Sequence, residues 1–251
     1  MDTEKLYDVN ADKWARREPS SLSDFTGRPP VFELCGDVAG QTVLDLGAGE
    51  GYCSRELARR GAARVIGVEL SGEMVASARR QDEADGYGLD FRQGDATHPV
   101  SVDDQSMDLV VAVFLYNYLT VDQMRRSFAE VHRVLRPGGR FVFSVPHPAL
   151  GFIRTTHAPP FYFDVRGRGY FSGVDERFPG EIARRDGTLL PVQMVHKTFA
   201  DYFDGLREAG FRALPDIKEL GVTAEHLALD PEFFGPVADI PLHLGVRIVR
   251  T

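Results

Sequence analysis

The stretch that decides the fold is Val43-Leu44-Asp45-Leu46-Gly47-Ala48-Gly49-Glu50-Gly51, residues 43–51 of the chain. Its first four residues are typical of a buried strand, and a glycine stands at every second position from Gly47 onward. Glycine lets a backbone turn sharply and approach a ligand with no side chain between them. The spacing differs from a dinucleotide-binding G-x-G-x-x-G loop, because Tyr52 stands where that loop has glycine or alanine. The stretch therefore predicts a strand, a ligand-binding turn and a helix, in that order.

Short aliphatic runs and helical patterns alternate along the chain on both sides of this stretch. The helices are predicted from capping residues such as Ser71, Thr120 and Thr198, and the strands from β-branched and aliphatic runs. Predicted strands cover residues 42–46, 64–69, 89–92, 107–113, 140–145 and 244–249, and predicted helices cover residues 50–60, 71–85, 120–135 and 198–209. The alternation is typical of βαβ units and predicts a doubly wound α/β fold with a mostly parallel sheet.

Residues 147–197 interrupt this alternation. They are rich in aromatic residues, arginine, glycine and proline, and they show no strong period of either kind. A structureless loop of this length is uncommon in a compact domain, so we expect an inserted lid over the edge of the sheet. A disordered insertion is the alternative, although disorder is usually poor in aromatic residues. The chain would then consist of a core, residues 1–146 and 198–251, and this lid.

The composition excludes several classes of protein. The 251 residues are 43% hydrophobic and 26% charged, which argues against a disordered, collagen-like or coiled-coil chain. The 29 basic and 37 acidic residues give a net charge of −8, which opposes binding to nucleic acid or to an anionic membrane. We find no secretory signal pattern and no long apolar run, so we expect a cytoplasmic protein. The spacing of histidine and cysteine predicts no metal site.

Three carboxylates accompany three consecutive predicted strands. Asp45 lies in the first strand, Glu69 ends the second, and Asp95 follows the third in Gly94-Asp95-Ala96. Ligands of open α/β sheets bind at the carboxyl ends of the strands, where such side chains meet. One carboxylate there can accept two hydrogen bonds from ribose hydroxyls, and another can accept one from an adenine amine. Together the three acids favour a nucleoside site over three solvated surface positions.

These residues resemble the class I S-adenosylmethionine-dependent methyltransferases, in particular the small-molecule group typified by ubiquinone- and sugar-methylating enzymes. The matching stretches are residues 45–51, 67–74, 94–96, 107–110 and 135–140. The resemblance implies a seven-stranded Rossmann-like sheet whose last strand runs antiparallel to the others. It also implies S-adenosyl-L-methionine as the cofactor and a small molecule as the methyl acceptor.

The resemblance also implies the residues of the cofactor site. The glycines would line the methionine part, Glu69 would hold the ribose, Asp95 would bond the adenine amine, and neighbouring apolar residues would pack around the adenine. Tyr7 and Trp14 belong to an N-terminal helix that would close over the cofactor or, alternatively, pack on the domain as an ordinary amphipathic helix. The cofactor-binding candidates are Tyr7, Asp45, Gly47, Ala48, Gly49, Gly51, Glu69, Leu70, Met74, Asp95, Ala96 and Ala112.

A catalytic base is needed only if the acceptor arrives protonated, because a sulfonium already activates the methyl group. His147 and His196 stand where the lid begins and ends, and an imidazole can accept a proton at neutral pH. Tyr116, Asn117 and Tyr118 follow the fourth strand, where relatives position the cofactor and the acceptor. We therefore name His147, His196 and Tyr116 as catalytic candidates. A structural hydrogen bond is the alternative for the histidines, and packing at a helix entry is the alternative for Tyr116.

The lid carries arginines that could recognise an anionic acceptor through bidentate hydrogen bonds. Solvated surface charge is the alternative for most of them. These residues are Arg154, Arg166, Arg168, Arg177, Arg184 and Arg185. The aromatic residues around them favour an apolar or aromatic acceptor.

The sequence as a whole predicts a methyltransferase that acts on an O or N atom of a small aromatic or apolar molecule, as in specialised metabolism. C-methylation on the same fold and a non-catalytic nucleoside-binding module that regulates a partner are the alternatives. Tyr52 and the stretch Pro137-Gly138-Gly139 disfavour a nicotinamide-dependent oxidoreductase. The acidic charge and the lack of an Asn-Pro-Pro-Tyr stretch disfavour a nucleic-acid methyltransferase. We expect a monomer or a homodimer.

Overall fold

The computed structural model describes residue 14 and residues 18–98, 101–153 and 158–251. The prediction for Tyr7 lies outside these residues. The described strands, in chain order, are β1 (Thr42–Leu46), β2 (Arg64–Glu69), β3 (Asp90–Gln93), β4 (Met107–Val113), β5 (Leu135–Pro146), β6 (Phe161–Phe163), β7 (Arg177–Ala183), β8 (Leu189–Val195), β9 (Asp216–Leu220) and β10 (His243–Val249).

Seven of the described strands form one sheet, in the order β3-β2-β1-β4-β5-β10-β9. β1 pairs in parallel with β2 and with β4, and these two strands pair in parallel with β3 and β5. β10 runs antiparallel to both of its neighbours, β5 and β9. The predicted doubly wound fold, with seven strands and an antiparallel last strand, is confirmed.

Helices cover both faces of this sheet. The described helices, in chain order, are α1 (Leu22–Thr26), α2 (Arg28–Cys35), α3 (Tyr52–Arg59), α4 (Gly72–Asp85), α5 (Val121–Val134), α6 (Leu150–Ile153), α7 (Phe199–Glu208), α8 (Ala224–Leu229) and α9 (Pro231–Phe234). Successive residues of β1 enter different cores: Val43 packs with α2 and α3, and Leu44 packs with α5 and α7. Because both faces of β1 are buried, most of its residues are apolar. No described helix is both long enough and apolar enough to cross a bilayer.

The predicted helix starts at Ser71 and Thr120 are confirmed by their capping bonds. The Ser71 hydroxyl accepts a hydrogen bond from the Met74 amide, and the Thr120 hydroxyl accepts one from the Gln123 amide. The Gln123 side chain accepts a hydrogen bond from the Thr120 amide in return, which completes a capping box. Both helices begin beside the crevice described below, since Met74 of α4 and Gln123 of α5 line it.

Within residues 147–197, the described part forms a three-stranded antiparallel sheet in the order β6-β7-β8. The sequence analysis identified no strands here, because Pro179 and Pro191 lie inside β7 and β8 and mask the alternation. The buried side chains Phe163 and Phe178 share a hydrophobic cluster with Leu22 of α1. The segment is therefore packed against the N-terminal helices.

β9 is a second element that the sequence analysis did not identify. Among the described strands it pairs with β10 alone, at the edge of the sheet, and four of its five residues are exposed. Its residues Asp216-Ile217-Lys218-Glu219-Leu220 hold no apolar run from which a strand could be predicted. Pairing with β10 decides its conformation.

Candidate active site

A cavity of about 270 Å³ lies at the carboxyl ends of the parallel strands and extends beneath the second sheet. The core contributes the ends of β1, β2 and β4 and the glycine turn after β1. The second sheet contributes apolar side chains on the opposite side, namely Phe161, Phe163, Ile182 and Val192. Trp14 also lines this crevice. One continuous space thus joins the strand ends to an apolar chamber.

The glycine turn keeps one wall of this crevice free of side chains. Gly49 has φ 56°, and a Cβ placed on it would meet no atom within 4 Å, so the space beside its backbone is open. Gly51 has φ 85°, and a Cβ there would lie 2.6 Å from the Phe91 ring. Residues other than glycine rarely adopt such positive φ values. The turn therefore has the shape of a cradle in which backbone atoms can contact a ligand.

Glu69 is fixed at the end of β2 by two backbone hydrogen bonds. Its Oε2 accepts from the Gly49 amide at 2.9 Å, and its Oε1 accepts from the Ser71 amide at 2.9 Å. A carboxylate oxygen can accept more than one hydrogen bond. Glu69 is half-buried and lines the crevice, so its carboxylate is held where a pair of hydroxyls could bind.

Asp95 lies next to Glu69 along the same crevice wall. One of its oxygens accepts from the Thr97 amide at 2.8 Å, and the other contacts His98 Nδ1 at 2.9 Å. Burial opposes ionisation, but the hydrogen bonds from Thr97 and His98 outweigh it and lower the pKa of the Asp95 carboxyl. The flanking candidates Leu70, Met74 and Ala96 also line the crevice. The structure therefore brings together the residues expected around a ribose and an adenine.

Asp45 lies deeper in the crevice, with 1% of its surface exposed. Burial raises the pKa of its carboxyl to about 6, against the hydrogen bond that Ser54 Oγ donates at 2.6 Å, and the charge of Glu69 raises it further. Gly47 and Ala48 line the same part of the crevice. A positive charge bound beside the Asp45 carboxyl would favour its ionised form.

Arg28 is a crevice residue that the sequence analysis did not identify. It begins α2, and its Nη1 donates to Asp24 Oδ1 at 2.5 Å. Its guanidinium carbon lies 5.2 Å from the centre of the Phe114 ring, while its Nε is buried without a hydrogen-bond partner among the described residues. No motif marks this arginine in the sequence; only the packing of α2 beside the glycine turn brings it to the crevice.

The three catalytic candidates do not line the crevice. Tyr116 is fully buried in the aromatic core, where its hydroxyl pairs with Ser127 Oγ at 3.2 Å, and burial raises its pKa well above the usual range. His147 contacts Glu219 through Nε2 at 2.9 Å, and its Nδ1 accepts from the Ala149 amide. Both ring nitrogens of His147 are therefore engaged in structural contacts.

His196 and Ala112 also lie away from the crevice. His196 is buried, its Nε2 donates to the Tyr170 carbonyl at 2.7 Å, and burial lowers its pKa. Ala112 faces the sheet core formed with α5 and α7 and has no exposed surface. The sequence analysis placed both residues at the site by their positions in the chain. Ala112 lies within β4, where successive side chains point to opposite faces of the sheet. His196 directly follows β8, and its side chain turns into the interior.

Asn117 and Tyr118, from the short 3₁₀ turn after β4, line the crevice where Tyr116 does not. The side-chain nitrogen Nδ2 of Asn117 donates to the backbone carbonyl of Gln193 in β8 at 3.2 Å. The side-chain oxygen Oδ1 of Asn117 is buried without a hydrogen-bond partner among the described residues. The turn therefore joins the core to the second sheet. Of the lid arginines that the structure describes, Arg177 lines the crevice.

Comparison with known proteins agrees with this geometry. The profile of a family described as a methyltransferase domain matches residues 43–139. An S-adenosylmethionine-dependent methyltransferase from Mesorhizobium loti, 25% identical in sequence, superposes with a TM-score of 0.67 over 88% of this chain and 96% of its own. A demethylmenaquinone methyltransferase from Thermus thermophilus is 31% identical over 214 residues, which cover 83% of this chain and 91% of the relative. The chain belongs to the class I S-adenosylmethionine-dependent methyltransferases.

Other relatives match this chain only in part. An arsenite methyltransferase from Halobacterium salinarum is 35% identical over 123 residues, which cover 47% of this chain and 30% of the relative. The chain spans half or less of the length of the first curated relatives that it matches. The residues that the methyltransferase profile matches, 43–139, contain the glycine turn and the ends of the first strands, which is the half of the crevice expected to hold the cofactor.

Proposed function

We propose that this protein transfers the methyl group of S-adenosylmethionine to an O or N atom of a small, apolar or aromatic molecule. The observation that carries the proposal is the single crevice that joins the Glu69 carboxylate to the apolar chamber under the second sheet. Methyl transfer requires the cofactor and the acceptor to meet in one enclosed space. The names of the relatives do not narrow the acceptor, since they include enzymes named for arsenite and for demethylmenaquinone.

The residues of the crevice fit S-adenosylmethionine part by part. Glu69 suits the ribose hydroxyls, Asp95 suits the adenine amine, and the open backbone at Gly49 suits the methionine chain. The buried Nε of Arg28 lacks a partner among the described residues, and a carboxylate would provide one. Asp45 supplies the opposite charge for an ammonium group. Bound there, the cofactor would supply a methyl group already activated by its sulfonium.

Positioning is then the main contribution of this chain to the rate. Correct orientation of two reactants is worth up to ~7 to 11 kcal/mol of the barrier in favourable cases. Tyr118, Phe161 and Phe163 present flat apolar surfaces that suit an aromatic or aliphatic acceptor. Histidine is absent from the described residues that line the crevice, so the acceptor is expected to give up its proton to solvent or to arrive already deprotonated.

The test combines binding and turnover. Calorimetry with S-adenosylhomocysteine should give one site per chain, and incubation of S-adenosylmethionine with a library of small phenols, amines and carboxylic acids should yield a product heavier by one methylene unit. If S-adenosylhomocysteine does not bind to the protein, the cofactor assignment is overturned. Binding without any turnover across the library would favour the non-catalytic nucleoside-binding module instead.

A further inference from the structure

One half of the crevice contains a buried oxygen that lacks a hydrogen-bond donor. The cofactor half is formed by the glycine turn and the ends of the first strands, and the acceptor half is formed by the turn after β4 and by the second sheet. Asn117 lines the acceptor half and is 4% exposed, and its Oδ1 is buried without a partner among the described residues. Burying an unpaired oxygen costs free energy, so a bound molecule that brings a donor to it is favoured.

The orientation of the Asn117 side chain is set by its contact with β8. Nδ2 donates to the backbone carbonyl of Gln193 at 3.2 Å. A carbonyl can only accept, so the Asn117 atom beside it must be the nitrogen, and the oxygen is the atom that remains unpaired. Val192, the neighbour of Gln193 in β8, lines the same chamber. Asn117 therefore brings a neutral acceptor to the wall of the chamber.

The turn that carries Asn117 also packs against the glycine turn. A Cβ placed on Gly47 would lie 3.1 Å from Leu115 Cδ1, and both residues line the crevice. Asn117 follows Leu115 by two residues, so it belongs to the part of the acceptor half that borders the cofactor half. Methyl transfer has to occur where the two halves meet. A donor bound to Asn117 therefore lies near the atom that receives the methyl group.

We infer that the acceptor is a neutral primary or secondary amine on an aromatic body and that its N–H donates to Asn117 Oδ1. The inference rests on the proposed function and narrows its choice of an O or N atom to nitrogen. An amine can donate its hydrogen to Asn117 and still attack through its lone pair. A hydroxyl could donate too, but an amide oxygen is not a base and would leave the hydrogen on a weakly nucleophilic oxygen. A deprotonated oxygen has no hydrogen to donate.

The aromatic body follows from the charge of the nitrogen. An aliphatic amine is an ammonium at pH 7 and has no lone pair, whereas an aromatic amine is neutral because its lone pair is shared with the ring. The apolar walls at Phe163, Ile182 and Val192 oppose the burial of an ammonium.

The hydrogen bond to Asn117 should strengthen during the transfer. The nitrogen lone pair forms the bond to the methyl carbon, the electron pair of the broken carbon–sulfur bond stays on sulfur, and the N-methylated product releases one proton to water. Positive charge develops on the nitrogen as its new bond forms, so the bond from its N–H to Asn117 becomes charge-assisted. An interaction that strengthens in this way favours the transition state over the bound amine.

The experiment uses sets of three compounds that differ in one group on the same body. The sets are 4-butylaniline, 4-butylphenol and 4-butyltoluene; indan-5-amine, indan-5-ol and 5-methylindane; and quinolin-6-amine, quinolin-6-ol and 6-methylquinoline. Binding to the full chain loaded with S-adenosylhomocysteine is followed by saturation-transfer NMR. Wild-type protein should bind the amine of at least one set about tenfold more tightly than the methyl compound, which fills the same space without a donor. With S-adenosylmethionine, that amine should be methylated and the matching hydroxyl compound should not.

Two variants separate the hydrogen bond of Asn117 from packing in the chamber. Asn117→Leu keeps a side chain of similar size without the oxygen, and it should bind the amine no more tightly than the methyl compound. Gln193→Ala is the matched control, because it retains the backbone carbonyl that accepts from Asn117 and because Gln193 does not line the crevice. It should keep the preference of the wild type. Thermal unfolding and S-adenosylhomocysteine binding show whether each variant is folded, and the three compounds test the wild type without any variant.

Several outcomes would overturn the inference. These are equal binding of amine and methyl compound by the wild type in every set, failure of every amine to bind, an unchanged preference in folded Asn117→Leu, and methylation of a hydroxyl compound in place of the amine. The last outcome leaves the proposed function intact, since a methyl group is still transferred to an O atom. If S-adenosylhomocysteine itself does not bind, the proposed function fails and this inference falls with it.

Discussion

Glu69 connects the glycine turn, the start of α4 and the expected ribose through one carboxylate. Replacing it by alanine removes the acceptor for the Gly49 and Ser71 amides as well as for the ligand. Hydrogen bonds to charged groups are each worth about 1.5 to 3 kcal/mol, so Glu69→Ala should weaken S-adenosylhomocysteine binding about 100-fold or more. Calorimetry measures this loss.

The control for this prediction is Glu73→Ala, which removes an exposed carboxylate in the first turn of α4. It should bind S-adenosylhomocysteine as the wild type does. A thermal unfolding curve for Glu69→Ala shows whether the fold persists. An affinity close to that of the wild type would remove the ribose assignment.

Asp45 should make cofactor binding depend on pH. Burial raises the pKa of its carboxyl to about 6, so in the free protein the group is largely protonated at pH 5 and ionised at pH 7. A bound ammonium favours the ionised form, and the affinity for S-adenosylmethionine should therefore rise about tenfold from pH 5 to pH 7. Calorimetry in buffers of different ionisation enthalpy should detect proton release near pH 5.

Two asparagine variants test this assignment. Asp45→Asn should abolish the pH dependence between pH 5 and 7. Asp95→Asn should retain it even if its affinity is lower, since the pKa of Asp95 is already below the usual range. The same slope in Asp45→Asn as in the wild type would assign the proton to another group.

At the scale of elements, the turn between β1 and α3 depends on Gly51. A Cβ there would combine the strain of φ 85° with a 2.6 Å contact to the Phe91 ring. Gly86, which ends α4, has a similar φ of 76° but nothing within 4 Å of a Cβ. Gly51→Ala should cost about 2 to 5 kcal/mol of unfolding free energy, and Gly86→Ala about 1 kcal/mol.

Urea unfolding of both variants separates strain from crowding. The difference between them isolates the collision with Phe91, because the backbone strain is common to both. Equal losses would mean that the ring moves aside at little cost. Neither glycine lines the crevice itself. Gly51→Ala should still weaken S-adenosylhomocysteine binding, because it displaces the turn whose residues Gly49 and Glu50 do line the crevice, whereas Gly86→Ala should not.

The predicted elements differ in how well the sequence located them. The bounds of β1, β2 and β4 agree with prediction because these strands are largely buried on both faces and are therefore mostly apolar in sequence. β9 and the strands of the second sheet were missed. Their exposed or proline-containing faces leave no clear period in the sequence, so no strand could be predicted there.

At the scale of the whole molecule, Lys197 ties the second sheet to the core. It is 1% exposed, and its Nζ donates to the Val195 carbonyl at 2.8 Å and to the Leu119 carbonyl in the turn after β4. Asp175, just before β7, accepts from the Val121 amide at the start of α5. These contacts join the segment around the second sheet to the turn after β4 and to the start of α5.

Lys197 should also make stability depend on pH. Burial lowers its pKa to about 7, so above pH 7 the folded protein is largely neutral at this group while the unfolded chain stays protonated up to its ordinary value. The unfolded state then binds more protons, and stability rises with pH. Between pH 7 and pH 9 the wild type should gain about 2 kcal/mol relative to Lys197→Met.

Urea unfolding at the two pH values measures this gain. Lys218→Met, at an exposed lysine of β9, should show the same pH dependence as the wild type. Parallel behaviour of Lys197→Met and the wild type would mean that Lys197 keeps its ordinary pKa in the fold.

The sequence by itself determined the parallel sheet and the cofactor half of the crevice. The residues that form them follow one another at successive strand ends, so the order of strands is enough to bring Asp45, Glu69 and Asp95 together. Only the tertiary structure decided the rest of the crevice. Arg28 lines it beside the glycine turn, and Asn117 and Arg177 line it by the second sheet. These residues come from segments far apart in the chain, and their positions depend on how helices and a second sheet pack rather than on any local pattern. For the same reason His147, His196 and Tyr116, well placed in sequence, turned out to face the interior instead of the crevice.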